Sequence, residues 1–118
     1  MTAGQIGLAL VCVTLIAIGQ MLFKAIGLAS LTPGELIEPR AIMLVIAAGT
    51  LYVVATVAWV WLLRSAPLSR AYPYMALSFV LVPLMSAFVY REALSVQYGI
   101  GIALVVAGIV VAGLGVSD

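Results

Sequence analysis

Apolar residues gather into four long runs along this chain, Gln5 to Phe23, Ala41 to Leu63, Ala71 to Tyr90 and Val96 to Val116, and the charged residues stand almost entirely between them. Each run approaches or exceeds the roughly 20 residues that a helix needs to cross a bilayer core at about 1.5 Å per residue. None alternates as a barrel strand would, and at bilayer depth a backbone must satisfy its own donors and acceptors, which favours helix. The pattern predicts an all-α integral membrane protein, a single domain over residues 1–118 with transmembrane helices at about 5–23, 41–63, 71–90 and 96–116.

The links between the runs set the arrangement. Only the first, Ala29 to Arg40, is sizeable, with turn chemistry at Thr32-Pro33-Gly34 and Pro39 opening helix two. Arg64 to Arg70 and Arg91 to Ser95 are short, so each helix is expected to run antiparallel beside its predecessor in a bundle. Pro73 fits the first turn of helix three. Pro83 lies in its interior, where it removes a hydrogen bond to the Phe79 carbonyl and predicts a kink. The first run lacks a basic leader and has Gln20 and Lys24 where a small-residue cleavage site would stand, so it is expected to remain in the mature protein.

Composition adds that little lies outside the membrane: 66% of the 118 residues are hydrophobic, 8% are charged and the mean hydropathy is +1.33. Basic residues divide almost evenly between the two sides, Arg64 and Arg70 against Lys24, Arg40 and Arg91, so the positive-inside rule sets orientation only weakly; both termini are expected to be cytoplasmic. Cys12 is single and mid-membrane and forms no internal disulfide. There is no His, and no Asp or Glu within the four runs, which removes the usual proton relays, metal ligand sets and bases for a nucleophile. No enzyme, metal or cofactor is expected. Nor is there a basic, aromatic-interleaved stripe for nucleic acid.

The chemistry left is sparse. Gln20 and Lys24 stand at i and i+4 near the end of the first run and share a helix face. Together they form a donor cluster suited to an anion such as a phosphate, although Lys24 alone would also reach the interface on its own stem. Arg70 and Arg91 stand at helix boundaries, where arginines meet lipid phosphates. Tyr72 and Tyr74 fit an aromatic belt, and Tyr74 and Ser78 share a face of helix three with Ser86 nearby. Glu92 is placed to cap helix four or to pair with a basic residue. In that last helix Gly101, Gly108 and Gly115 recur every seven residues with Ala112 beside them. Such a small-residue stripe lets helices approach closely, against another helix of the same chain or against a second subunit; since four helices enclose little volume, the dimer contact is the favoured reading.

These residues carry a resemblance. Gly19-Gln20 with Lys24, Trp61-Leu62-Leu63, Ala66-Pro67, Ala71-Tyr72-Pro73, Ser78-Phe79-Val80, Glu92 with Ser95, and the glycines of helix four resemble, in order and spacing, the drug/metabolite transporter superfamily of EamA-like four-helix proteins. They are most similar to the subunits of aminoarabinose-phosphoundecaprenol flippases. Small multidrug resistance proteins are similar in size, but the position of their proton- and drug-binding glutamate is Ile16 here. The resemblance implies a flippase for a polyprenyl-phosphate-linked monosaccharide in the inner membrane, serving cell-envelope glycan or lipopolysaccharide modification. Lys24 and Gln20 would hold the phosphate, Arg91 or Arg70 would make first contact, and Tyr72, Tyr74 and Ser78 would meet the sugar. Glu92 would hold a basic residue or an amino group on the sugar. Assembly would be a homodimer, or a heterodimer with a related four-helix subunit. Arg70, where an apolar residue is usual, and Ser78, where an amide is usual, depart from the pattern. A small multidrug or metabolite exporter and a non-transporting subunit of a heterodimer are the rival readings.

Overall fold

The computed structural model describes residues 1–29 and 39–115, so the expected turn at Thr32-Pro33-Gly34 lies outside the described residues. Four helices long and apolar enough to cross a membrane follow one another: α1 Ala3–Ala29, α2 Pro39–Leu63, α3 Leu68–Val89 and α4 Val96–Leu114. The N-terminus of α1 is closed by a reciprocal cap. Thr2 N donates to Gln5 Oε1 at 2.9 Å and Gln5 N donates to Thr2 Oγ1 at 3.2 Å, which satisfies two donors that the first helical turn leaves open. Helix α1 therefore begins before the expected Gln5. It also runs past the expected Phe23 to Ala29, because Ala25-Ile26-Gly27-Leu28-Ala29 stays apolar and one lysine with a long methylene stem does not end a helix. Lys24 consequently lies inside the span. Pro39 sits at the first helical position of α2, where its missing N–H costs nothing.

The main seam joins α1 to α2, and it is built from small residues. Ala9, Cys12, Val13, Ala17 and Gly19 of α1 are buried, as are Ala48, Ala55 and Leu62 of α2, which repeat every seven residues along one stripe. Without a hydrophobic drive between helices in lipid, close backbone approach and dispersion hold such a seam. Its cross-links fix an antiparallel register: Gln5 Nε2 donates to Ser65 Oγ (2.9 Å), the Cys12 thiol to the Ala55 carbonyl (3.8 Å), and Gln20 Nε2 to the Tyr52 hydroxyl (2.7 Å), so partners descend on α2 as α1 ascends.

Helix α3 starts at Leu68, three residues before the expected Ala71, with Pro67 at its N-cap. Its departure from α geometry falls at Tyr72–Leu77, a six-residue 3₁₀ stretch with Pro73 in its first turn, whereas Pro83 lies inside an unbroken Ser78–Val89 segment. Proline removes one i→i−4 bond, and the tighter i→i−3 pattern accommodates the loss at Pro73. Ala71 packs into a small cluster with Ala9, Leu62 and Ala66, flanked by Met1 and Tyr74. Arg91 follows α3 with φ 53°, the left-handed turn that commonly ends a helix and that glycine usually occupies.

Ser95 caps α4, its Oγ accepting from Tyr98 N at 3.0 Å. This last helix has no buried residue and makes its main contact with the Tyr72–Leu77 stretch. Its partly covered positions, Ile102, Val106 and Ile109, lie on a different face from the glycines; a Cβ added at Gly101 or Gly108 would meet nothing within 4 Å. The glycine stripe is thus turned away from its own chain.

Candidate functional site

The ends of the helices bring the sparse polar groups together in two places. At the far end of α1 the Lys24 ammonium stands 3.8 Å from Glu92 Oε1, and the other Glu92 oxygen accepts a hydrogen bond from the Ser86 hydroxyl. Three segments meet there: α1, the second half of α3, and the link to α4. Tyr90 of the same region donates its hydroxyl to the Met21 carbonyl at 2.7 Å, tying the end of α3 to α1. An intramembrane charge is costly unless paired or hydrated, and the carboxylate supplies the pairing. The contact is long for a charge-assisted hydrogen bond, and the two side chains remain 50% and 47% exposed. Beside Glu92 a hollow of about 330 Å³ has Ser86, Ser95 and Tyr98 among its lining residues, together with Pro83 and Leu94.

One turn before Lys24, the exposed Gln20 does not share its partner. Its amide nitrogen donates to the Tyr52 hydroxyl, and the Tyr52 ring stacks on Phe23 with centroids 5.1 Å apart and planes 16° off parallel. The ring lies against Gly19, so close that a Cβ there would stand 2.4 Å from Tyr52 Cε2. Gln20 and Lys24 thus present one face but are held by α2 and by the α3–α4 link respectively. Tyr52 escaped the reading of the chain. Its signal was present: tyrosines favour the membrane interface, and this one sits near the middle of α2. Tyr52→Phe is expected to keep the stack, free the Gln20 amide and destabilise the fold by about 0.6 kcal/mol and at most about 1.7, the average and the maximum for interhelical hydrogen bonds in a membrane protein. Thermal unfolding in detergent reads this, and an unchanged midpoint would mean that the bond does not hold Gln20.

The remaining candidates gather at the opposite end. Ala71 packs on Ala9, so Arg70 lies beside the start of α1; fifteen residues at about 1.5 Å each put Lys24 roughly 22 Å farther along the helix axis. Tyr74 flanks the Ala9 cluster, Tyr72 is exposed, and the Ser78 hydroxyl donates back to the Met75 carbonyl at 2.7 Å. Arg64 lies over Trp61, 4.6 Å from its ring, at this same boundary. Of the sequence candidates, Lys24 and Glu92 pair, with Gln20 one turn away and Arg91 next to Glu92 in the chain, while Arg70 and Tyr74 share a groove at the opposite end, Tyr72 is exposed and Ser78 bonds within its own helix.

The chain matches the EamA-like transporter family over residues 1–114. Among curated proteins it is 36% identical over 99 residues, 81% of this chain and 85% of that protein, to the "Probable 4-amino-4-deoxy-L-arabinose-phosphoundecaprenol flippase subunit ArnE" of Sodalis glossinidius. It is 30% identical over 92% of this chain and 97% of the protein of the same name from Salmonella paratyphi C. The namesake from Proteus mirabilis is 42% identical over 44% of this chain and 46% of that protein. No solved structure matches.

Proposed function

The chain belongs to the EamA-like transporter family, and from this we propose that it works as a flippase, or flippase subunit, for an anionic lipid: a monosaccharide on polyprenyl phosphate, moved across the inner membrane for cell-envelope modification. It is a multi-pass inner-membrane protein with four apolar spans. The observation that carries the proposal is the half-exposed Lys24 ammonium inside the span, 3.8 Å from the Glu92 carboxylate, which itself borders a hollow with Ser86, Ser95 and Tyr98 in its lining.

Moving a bare phosphate through hydrocarbon is prohibitive, since burying an isolated charge costs on the order of tens of kcal/mol by Born estimates and still several after relaxation. Lys24 and Gln20 replace the water of the phosphate, and the isoprenoid tail stays in lipid. While phosphate holds Lys24, Glu92 remains anchored to Ser86 and is released to meet an ammonium on the sugar. The names of the relatives, which specify an amino sugar on a phosphoundecaprenol carrier, support this reading. No covalent bond is made or broken, so the role is transport and not catalysis.

A single chain measures 55 × 37 × 18 Å, a slab too thin to enclose a polar path. The uncovered stripe of Gly101, Gly108, Ala112 and Gly115 supports assembly with a second four-helix subunit, either a copy or a relative. Gly108→Leu is expected to convert the dimer to monomer in native mass spectrometry of gently extracted protein, and a dimer that survives would place the interface elsewhere. The same spectra test the substrate. A retained polyprenyl-phosphate sugar supports the carrier reading, whereas a lipid-free protein that retains added aromatic cations would move the assignment to an exporter.

A further inference from the structure

A second cavity, at the end of the molecule opposite Lys24, has the shape and charge of a lipid site. It is a groove of about 320 Å³ between the 3₁₀ stretch and α4, lined by Pro73, Leu77, Ile109 and Gly113 together with Arg70 and Tyr74. The groove exists for local reasons. Pro73 begins a stretch wound more tightly than α-helix, and Gly113 leaves open space where a side chain would stand. Since α4 buries none of its residues, the groove is open on the outer surface of the chain.

Its lining is apolar along its length and cationic at Arg70, which stands where α3 begins, near the C-terminal end of α4. That polarity matches one kind of occupant, an amphiphile with an anionic head and a single long apolar chain. A guanidinium is the side chain best suited to a phosphate, because its planar fork donates two parallel hydrogen bonds. The volume lies at the small end of the roughly 300–1,000 Å³ of ligand sites, which suits one chain and not two.

We infer that this groove seats the phosphate-proximal part of a polyprenyl chain, with the lipid phosphate on Arg70. The inference rests on the lipid-carrier reading and extends it: Arg70 and Lys24, roughly 22 Å apart along α1, are two phosphate stations near the two membrane faces. The groove keeps the tail at the rim of the protein while the head group passes between them.

The test uses the full chain in nanodiscs with decaprenyl monophosphate carrying a diazirine in its second isoprene unit. After irradiation, labelled peptides are mapped by mass spectrometry. Labels are expected on the segments around Pro73–Leu77 and Ile109–Leu114. Arg70→Gln should lower the yield about tenfold, as loss of a charge-assisted contact does, with Arg70→Lys retaining part of it. The matching polyprenol without phosphate should label weakly. Labels elsewhere, a yield indifferent to Arg70→Gln in protein that still elutes as a single species, competition by ordinary phospholipid as strong as by the unlabelled probe, or crosslinks from this groove to a second copy would each overturn the inference. The two readings fail separately. Lipid flipping with labelling that ignores Arg70 removes the groove alone, whereas Arg70-dependent labelling without any flipping removes the carrier function and leaves the groove.

Discussion

Alanine at Lys24 is expected to slow the movement of a polyprenyl-phosphate sugar in proteoliposomes by about a hundredfold or more, while the amount of protein in the membrane stays at or above the wild-type level. Truncating one partner of a buried hydrogen-bonded charge pair, which Lys24 and the phosphate form only while the head group is desolvated in transit, costs about 2–5 kcal/mol, which corresponds to between roughly thirty- and several-thousand-fold. Insertion moves the other way, because a lysine inside a span carries an insertion cost that alanine does not, smaller near the end of α1 where Lys24 stands than the roughly 2.5–3.5 kcal/mol of a helix centre. The substitution also leaves Glu92 with Ser86 as its recorded partner. Lys24→Arg should recover part of the activity, since a guanidinium serves phosphate as well. Flipping rate and membrane-fraction yield are measured on the same preparations. Parallel loss of both would show that Lys24 supports the fold and would sink its assignment as the phosphate ligand.

The largest effect on stability is expected at Gly19. An added Cβ would stand 2.4 Å from Tyr52 Cε2, 3.0 Å from Cδ2 and 3.3 Å from Cζ, all closer than ordinary contact. A tyrosine ring often swings away from such a clash, but this one is held on three sides by Gly19, by the Phe23 stack and by the Gln20 hydrogen bond. Gly19→Ala therefore either separates α1 from α2 or breaks both of the other contacts. Overpacking of this kind costs about 1–3 kcal/mol, and loss of the hydrogen bond adds about 0.6 kcal/mol. The better helix propensity of alanine returns up to about 1 kcal/mol. A net loss of about 0.6–2.6 kcal/mol is expected in detergent unfolding when alanine returns its full propensity, and Tyr52→Ala in the same chain should relieve the clash and make the two changes less than additive. Wild-type stability for Gly19→Ala alone would mean that the seam opens there without cost.

Much of this architecture was legible in the chain itself. The four spans follow from the lengths of four apolar runs, because transfer of a helix into hydrocarbon is close to a sum over its own residues. The pairing of Gln20 and Lys24 on one face follows from helical period alone, as does the stripe of glycines in the last helix. Errors at the helix ends were also local in origin: a charged residue at position 24 and a proline at position 73 looked like boundaries, yet a methylene stem and a 3₁₀ turn absorb them.

What the tertiary structure decided is who meets whom. Composition made the glycine stripe of helix four the conspicuous packing surface, but within the chain the close seam is the alanine-rich one between α1 and α2, and the glycine face stays uncovered. Lys24 takes its partner from position 92 and Gln20 takes its own from position 52, so two donors one turn apart answer to different helices. The remaining polar residues, close in sequence around Arg70, fall at the far end with a groove of their own. A span is a property of one segment, summed residue by residue in a uniform solvent. A contact depends on which faces of separate segments pack together, and in lipid that choice rests on shape and on a few hydrogen bonds, neither of which a hydrophobic pattern encodes.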